Sequence, residues 1–163
     1  MKIALFKKHR RDPLSFLISA ITRGGYTHAA LLIDETKLLI AEAFYPVVHT
    51  RPLATGEVAD IDFFNVRGLT PERIEAVMAY VTAAVGAKVR YSFANLLRFI
   101  PFVRPFLGDG RDPDARAAVF CSQFVFDCFS RAAGIDLLRA NSWEVAPSQL
   151  AWSPYLSLTT AAA

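Results

Sequence analysis

The chain has 163 residues, 53% of them hydrophobic, and a net charge of +3. That length favours one domain, and the apolar content suits a real core and excludes disorder. No apolar run reaches the ~18 residues of a membrane span, and the mild basic excess has no nucleic-acid motif beside it, so neither a membrane-spanning protein nor a nucleic-acid binder is expected.

Residues 2–6 read as a short strand. Lys7-Lys8-His9-Arg10-Arg11 followed by the apolar stretch from Leu14 to Ile21 imitates a signal peptide. Asp12-Pro13 interrupts it and Arg23-Gly24-Gly25 is not a small-residue cleavage site, so the segment is read as part of the fold and the chain is expected in the cytoplasm. The basic group could touch phosphate or anionic lipid, but a solvated loop is the simpler reading. Residues 13–22 are predicted to be a helix, with Asp12 as cap, Pro13 in the first turn, an apolar stripe of Leu14, Leu17, Ile18 and Ile21, and Gly24-Gly25 as its end. Strands are predicted over 28–33 and 37–43, around the turn Asp34-Glu35-Thr36. A third extended piece covers 47–50 after Pro46. Over 59–66, Ile61 and Phe63 alternate against Asp60 and Asp62, which are read as surface groups. Thr70 caps a helix over 71–85, with Pro71 at its first position and Gly86 as its stop. Residues 92–99 read as another helix, 101–106 as irregular and very apolar, and 108–114 as a polar loop. Residues 120–133 form a strong helix whose face is Cys121, Phe124, Val125, Cys128, Phe129 and Ala132, closed by Gly134. A short helix follows Pro147, and the tail of three alanines is frayed. The whole, residues 1–163, reads as a single α+β domain with helices packed on a small antiparallel sheet.

Cys121 stands where an extended segment turns into a helix. A thiol at a helix N-terminus feels the positive end of the macrodipole, which favours the thiolate. His28 opens an apolar strand. A cysteine on a helix start with a histidine on a strand is the minimal equipment of a thiol hydrolase or acyl transferase. Two cysteines make no disulfide framework, and at a seven-residue spacing on one helix Cys121 and Cys128 lie about 10 Å apart, too far to bridge. Both are expected as free thiols, in keeping with a reducing compartment. Each residue also has a plainer reading. Cys128 in the helix interior is a core residue. Cys121 could be one too, since free cysteine is often buried, and His28 could be a hydrogen-bonded structural residue.

Glu42 between Ala41 and Ala43 is costly to bury unless paired. If Asp34-Glu35-Thr36 is a three-residue loop, Ile33 pairs with Lys37 and the ladder carries His28 directly opposite Glu42, with Cβ atoms about 4.5–5.5 Å apart. A loop of two or four residues slips the register by one and turns Glu42 away. His49 is a second candidate base, and His9 reads as solvated. The cysteine, histidine and carboxylate lack zinc-ligand spacing, and neither a metal nor a cofactor is expected.

Together these pieces resemble the circularly permuted branch of the NlpC-type papain-like superfamily, the YiiX/YebB-like and lecithin:retinol acyltransferase-like proteins, in which the histidine strand precedes the cysteine helix. Thr22-Arg23-Gly24-Gly25-Tyr26-Thr27-His28 resembles the approach to the family's catalytic histidine. Ile40-Ala41-Glu42-Ala43 is similar to its strand bearing the third polar residue, and Ala87-Lys88-Val89-Arg90-Tyr91-Ser92-Phe93 to its glycine-and-tyrosine segment. Phe120-Cys121-Ser122-Gln123-Phe124-Val125 resembles its nucleophile motif and Ala146-Pro147-Ser148-Gln149-Leu150 its ending. The likeness covers roughly residues 2–154. It implies a permuted papain-like fold with Cys121 as nucleophile, His28 as general base and Glu42 as the orienting residue. Tyr91 would donate to the oxyanion together with the Cys121 backbone N–H, although an aromatic anchor beside Phe93 explains Tyr91 equally. Gln123 stands where many relatives carry an acid.

The chemistry so implied is acyl transfer through a thioester, with hydrolysis of an amide bond in a peptide or N-acyl compound as the first expectation. Leu96, Leu97, Phe99, Ile100, Phe102, Val103 and Phe106 form an apolar run, interleaved with Arg98 and Arg104. It could line an acyl-chain pocket, make peripheral contact with a membrane, or simply cover the sheet. Two rivals stay open: a lipid acyltransferase or phospholipase-like thiol enzyme, and a papain-like scaffold that binds a ligand without catalysis. The partner expected in the enzyme readings is a small peptide, amide or acyl lipid.

Overall fold

The computed structural model describes residues 1–7, 24–93, 99 and 118–159. Short apolar runs buried on both sides build the central strands β1 (Lys2–Lys7), β2 (Tyr26–Asp34) and β3 (Leu39–Phe44), flanked by β4 (Val47–Pro52) and β5 (Ile61–Val66). Three shorter strands complete a curled sheet: β6 (Arg90–Tyr91), β7 (Ala118–Val119) and β8 (Leu156–Leu158), in the order β7-β6-β4-β3-β2-β1-β5-β8. The α+β class is as expected. The sheet is larger than expected, with eight strands and one parallel pairing, β6 with β7, among the described residues. Strands of two or three residues are too short for alternation to reveal, and their pairing is set by the neighbours they meet.

Both sheet faces are apolar. One carries Ile3, Leu5, Ala29, Leu31, Ala41, Ala43 and Val48 in a core shared with the helices. The other carries Ala4, Ala30, Leu32, Ile40, Leu53 and Ile61. Helix α1 (Pro71–Gly86) starts as its sequence dictates, with the Thr70 side chain accepting from the Arg73 N–H and proline in the first turn. It buries Val77, Val81 and Ala84. Helix α2 (Cys121–Asp127) widens to π-type hydrogen bonding over Cys128–Ala132. Gly134 at φ 63° then lets the Ile135 N–H reach back to the Phe129 carbonyl and closes the helix. A one-faced stripe was expected for this helix, but every residue of Cys121–Asp127 is buried, so it runs through the interior. Helix α3 (Pro147–Leu150) follows Pro147 as predicted, and the Gln149 side chain accepts from the Ala146 N–H.

The predicted helix over 13–22, the basic group from Lys8 to Arg11, most of the predicted helix over 92–99, the apolar run from Ile100 to Phe106 and the loop over 108–114 lie outside the described residues. Among the described residues, no helix is long and apolar enough to cross a membrane.

Candidate active site

The β2–β3 turn sets the register on which the site depends. Asp34 Oδ1 accepts from the backbone N–H groups of Thr36 and Lys37, at 2.9 and 3.1 Å. Leu38, at φ 48°, takes the left-handed position that turns the chain into β3. The turn is therefore longer than Asp34-Glu35-Thr36. Leu31 faces Ala41 and Leu32 faces Ile40. Continuing that ladder sets Ala30 opposite Glu42 and Phe44 opposite His28, so the expected direct opposition of His28 and Glu42 is corrected by two residues. A shift of two leaves every side chain on its own face. His28 and Glu42 are diagonal neighbours, and the His28 ring meets Phe44 edge-on at 5.7 Å. Nothing in a leucine announces a left-handed turn residue, which is why the sequence misplaces the register.

On the far side of β3, Glu42 pairs with His49 and Ile40 with Arg51. Strand alternation thus gathers His28, Glu42, His49 and Arg51 on one face. The His28 Nε2 lies 2.6 Å from Glu42 Oε2. Arg51 Nε donates to the other oxygen, Oε1, at 2.6 Å. Two cationic partners answer the cost of burying a carboxylate that is only 1% exposed. Burial by itself would raise the Glu42 pKa, but the hydrogen bonds and charges of His28 and Arg51 outweigh it and hold the carboxyl at about 2. The His28 imidazole feels the reverse balance. Burial lowers its pKa, while the charge of and hydrogen bond with Cys121, and then those of Glu42, push it up to about 10. His49 stands further off, its Nε2 3.5 Å from Glu42 Oε1. Its Nδ1 lies 2.9 Å from the Val47 carbonyl, which can only accept, so Nδ1 carries the proton.

Cys121 reaches His28 from another part of the sheet. β6 and β7 run parallel with Tyr91 beside Val119, and the Ser92 N–H donates to the Val119 carbonyl at 2.9 Å. Cys121 follows two residues on as the first residue of α2, fully buried. The Tyr91 phenol is pushed well above its ordinary pKa by burial and by the charge of Cys121, so it keeps its proton. Tyr91 also packs on Phe93, ring centroids 4.9 Å apart, so both readings of it have a contact. The first helical bond of α2 is Phe124 N–H to Phe120 carbonyl. The N–H groups of Cys121, Ser122 and Gln123 therefore precede the ladder. Gln123 is wholly buried, and among the described residues neither of its side-chain polar atoms has a hydrogen-bond partner.

The C-terminal segment ties these parts together. Ser122 Oγ donates to the Val145 carbonyl at 2.7 Å. Ser148 Oγ accepts from the Tyr26 N–H at 2.9 Å and donates to the Tyr26 carbonyl at 3.1 Å, fixing the start of the histidine strand. Sequence reading missed Arg51 and gave Ser148 no role. Arg51 was findable in principle, since it stands two residues from His49 and shares its face. Ser148 was not, because its partner is 122 residues away.

No protein-family model matches the chain, and no curated protein does. One solved structure that matches is the metalloprotein YiiX from Escherichia coli O157:H7, with a TM-score of 0.66 and 16% identity over 98% of this chain and 95% of that one. That protein is called a metalloprotein, but the donors here do not fit a resident ion. Glu42 spends one oxygen on the Arg51 guanidinium and the other on His28, His49 Nδ1 is tied to a carbonyl, and no three His, Cys, Asp or Glu among the described residues form a metal-holding group. At this identity the likeness shows the fold: a mixed α+β architecture of YiiX-like, papain-like type, its curled sheet packed with helices.

Proposed function

We propose that this chain is a YiiX-like thiol hydrolase that cleaves an amide bond, in a peptide or N-acyl compound, through a thioester on Cys121. The observation that carries the reading is the run from Glu42 to His28, 2.6 Å apart, and from His28 to Cys121, with Tyr91 within the field of the same cysteine. His28 takes the Cys121 proton, and Glu42 holds the ring's orientation and stabilises the imidazolium. The thiolate attacks the carbonyl carbon, and the oxyanion receives hydrogen bonds from the Cys121 backbone N–H and the Tyr91 hydroxyl. Collapse expels the amine, which leaves with the proton that His28 held. Water, deprotonated by His28, then attacks the thioester, releasing the acid and restoring the thiol.

A second reading, acyl transfer from a lipid, has one observation in its favour. Phe44, Tyr45 and Phe93 are 47%, 65% and 43% exposed beside His28 and Tyr91, an apolar ledge next to the nucleophile. The test is to incubate the protein with N-acyl p-nitroanilides and with acyl lipids and to read acyl adducts by intact-mass and peptide spectrometry. The proposal expects an adduct on Cys121 that forms with His28 present and not in His28→Ala, and that water discharges. Adducts from lipids alone, discharged only by an added amine or lipid acceptor, would favour the second reading. No adduct from any acyl donor would overturn both.

A further inference from the structure

The grip on Glu42 does not end at His28. Glu42 Oε1 accepts from Arg51 Nε at 2.6 Å. The two remaining nitrogens of that guanidinium are bound by a second carboxylate, Nη1 to Glu57 Oε2 at 2.8 Å and Nη2 to Glu57 Oε1 at 3.0 Å. Glu57 is itself fixed, since its Oε2 also accepts from the Ala54 N–H at 2.8 Å. A planar fork bound on two sides has no rotational freedom left. We infer that Arg51, clamped by Glu57, is a positioning residue: it commits one oxygen of Glu42 away from the nucleophile so that the other is presented, ionised, to His28. This inference rests on the triad reading above.

The alternatives for these groups are weaker. A surface ion pair between Arg51 and Glu57 alone would contribute little. This one ends on a buried carboxylate, where an unanswered charge is costly and geometry is enforced. Among the described residues, the charged and titratable groups that face Glu42 are His28 from β2 and His49 and Arg51 from β4, with Glu57 behind Arg51. Beyond His28 stand Cys121 and Tyr91. Arg51 is the fixed cation among them, able to keep Glu42 ionised whatever the state of the two histidines.

The test reads the rate of Cys121 alkylation by iodoacetamide against pH, in wild type, His28→Ala, Arg51→Met, Arg51→Lys and Glu57→Gln, with folding checked by circular dichroism. The acid limb of that profile marks the pH at which the ionised Glu42–His28–Cys121 system takes up a proton. In Arg51→Met the limb is expected to move to higher pH by about one unit, roughly a tenfold loss of rate at a pH on the limb. Arg51→Lys, which keeps the charge and loses the fork, is expected to recover part of that shift.

Glu57→Gln separates position from charge. Removing a nearby negative charge would by itself favour ionised Glu42 and move the limb down. Loosening the clamp on Arg51 moves it up, as the inference requires. If Arg51→Met does not fold, Arg51→Lys and Glu57→Gln carry the test. A His28-dependent limb in wild type that none of the Arg51 and Glu57 variants moves upward overturns the positioning role and leaves the triad standing. A wild-type profile indifferent to His28→Ala overturns the triad reading and this inference with it.

Discussion

Cys121 and Cys128 sit on one continuous helix, both fully buried and both free thiols. By burial alone they are the same residue twice. Their neighbours separate them. Cys128 lies among apolar side chains, and burial and then the adjacent Asp127 push its thiol well above the ordinary range. Cys121 opens the helix and meets His28 and Tyr91, contributed by strands on opposite sides of β3 and β4 in the sheet order. The comparison teaches that burial alone does not set a cysteine's role: under the proposed function, a paired base and a helix start would make Cys121 the reactive thiol, and Cys128, without them, would stay inert.

The largest expected effect breaks the comparison outright. Cys121→Ala is predicted to lower turnover of an amide or acyl substrate by at least about a thousandfold. Cys128→Ala is predicted to leave turnover near wild type and to cost about 1 kcal/mol of stability through the cavity it opens. Urea unfolding and steady-state rates on the two variants check both halves. Next in size is Glu42→Gln, which keeps the shape of the side chain and removes the charge that orients His28. A loss of roughly a thousandfold in kcat is expected, with near-native circular dichroism.

The same residue sharpens the comparison through pH. The Glu42 pKa is depressed to about 2 from an ordinary value of 4.5. A group depressed in the folded state contributes stability that is fully present above its unfolded pKa and is lost as pH falls through its folded one. The stability gap between wild type and Glu42→Gln should therefore be full above about pH 4.5 and close as pH falls toward about 2. Urea midpoints across that window check it. The smallest effect is Ser148→Ala. Losing both hydrogen bonds to the Tyr26 backbone should cost about 1–2 kcal/mol and lower kcat modestly, because the strand that carries His28 is less firmly held.

Much of this arrangement was legible in the chain. Short apolar runs marked β1 to β4, alternation marked β5, Thr70-Pro71 marked the start of α1, and the glycine after the cysteine helix marked its end. Glu42, a carboxylate between two alanines, could be read as a group that needs a partner, and it is bound by His28 and Arg51. What the chain hid was geometry set by tertiary contact. The left-handed Leu38 moved the β2–β3 register by two residues, and only the even size of that shift kept Glu42 on the face of His28. β6 and β7 were hidden by brevity, yet they bring Tyr91 to Cys121. Arg51 drew no notice in the sequence, and it is β3–β4 pairing that sets it beside Glu42.

The most direct test of the account is iodoacetamide alkylation of Cys121 and Cys128 measured separately by peptide mass spectrometry across pH, in wild type and His28→Ala. The account predicts that Cys121 reacts fast below about pH 7, that this reactivity is lost without His28, and that Cys128 stays slow in both proteins. Equal behaviour of the two cysteines, or a Cys121 profile that His28→Ala leaves unchanged, would contradict it.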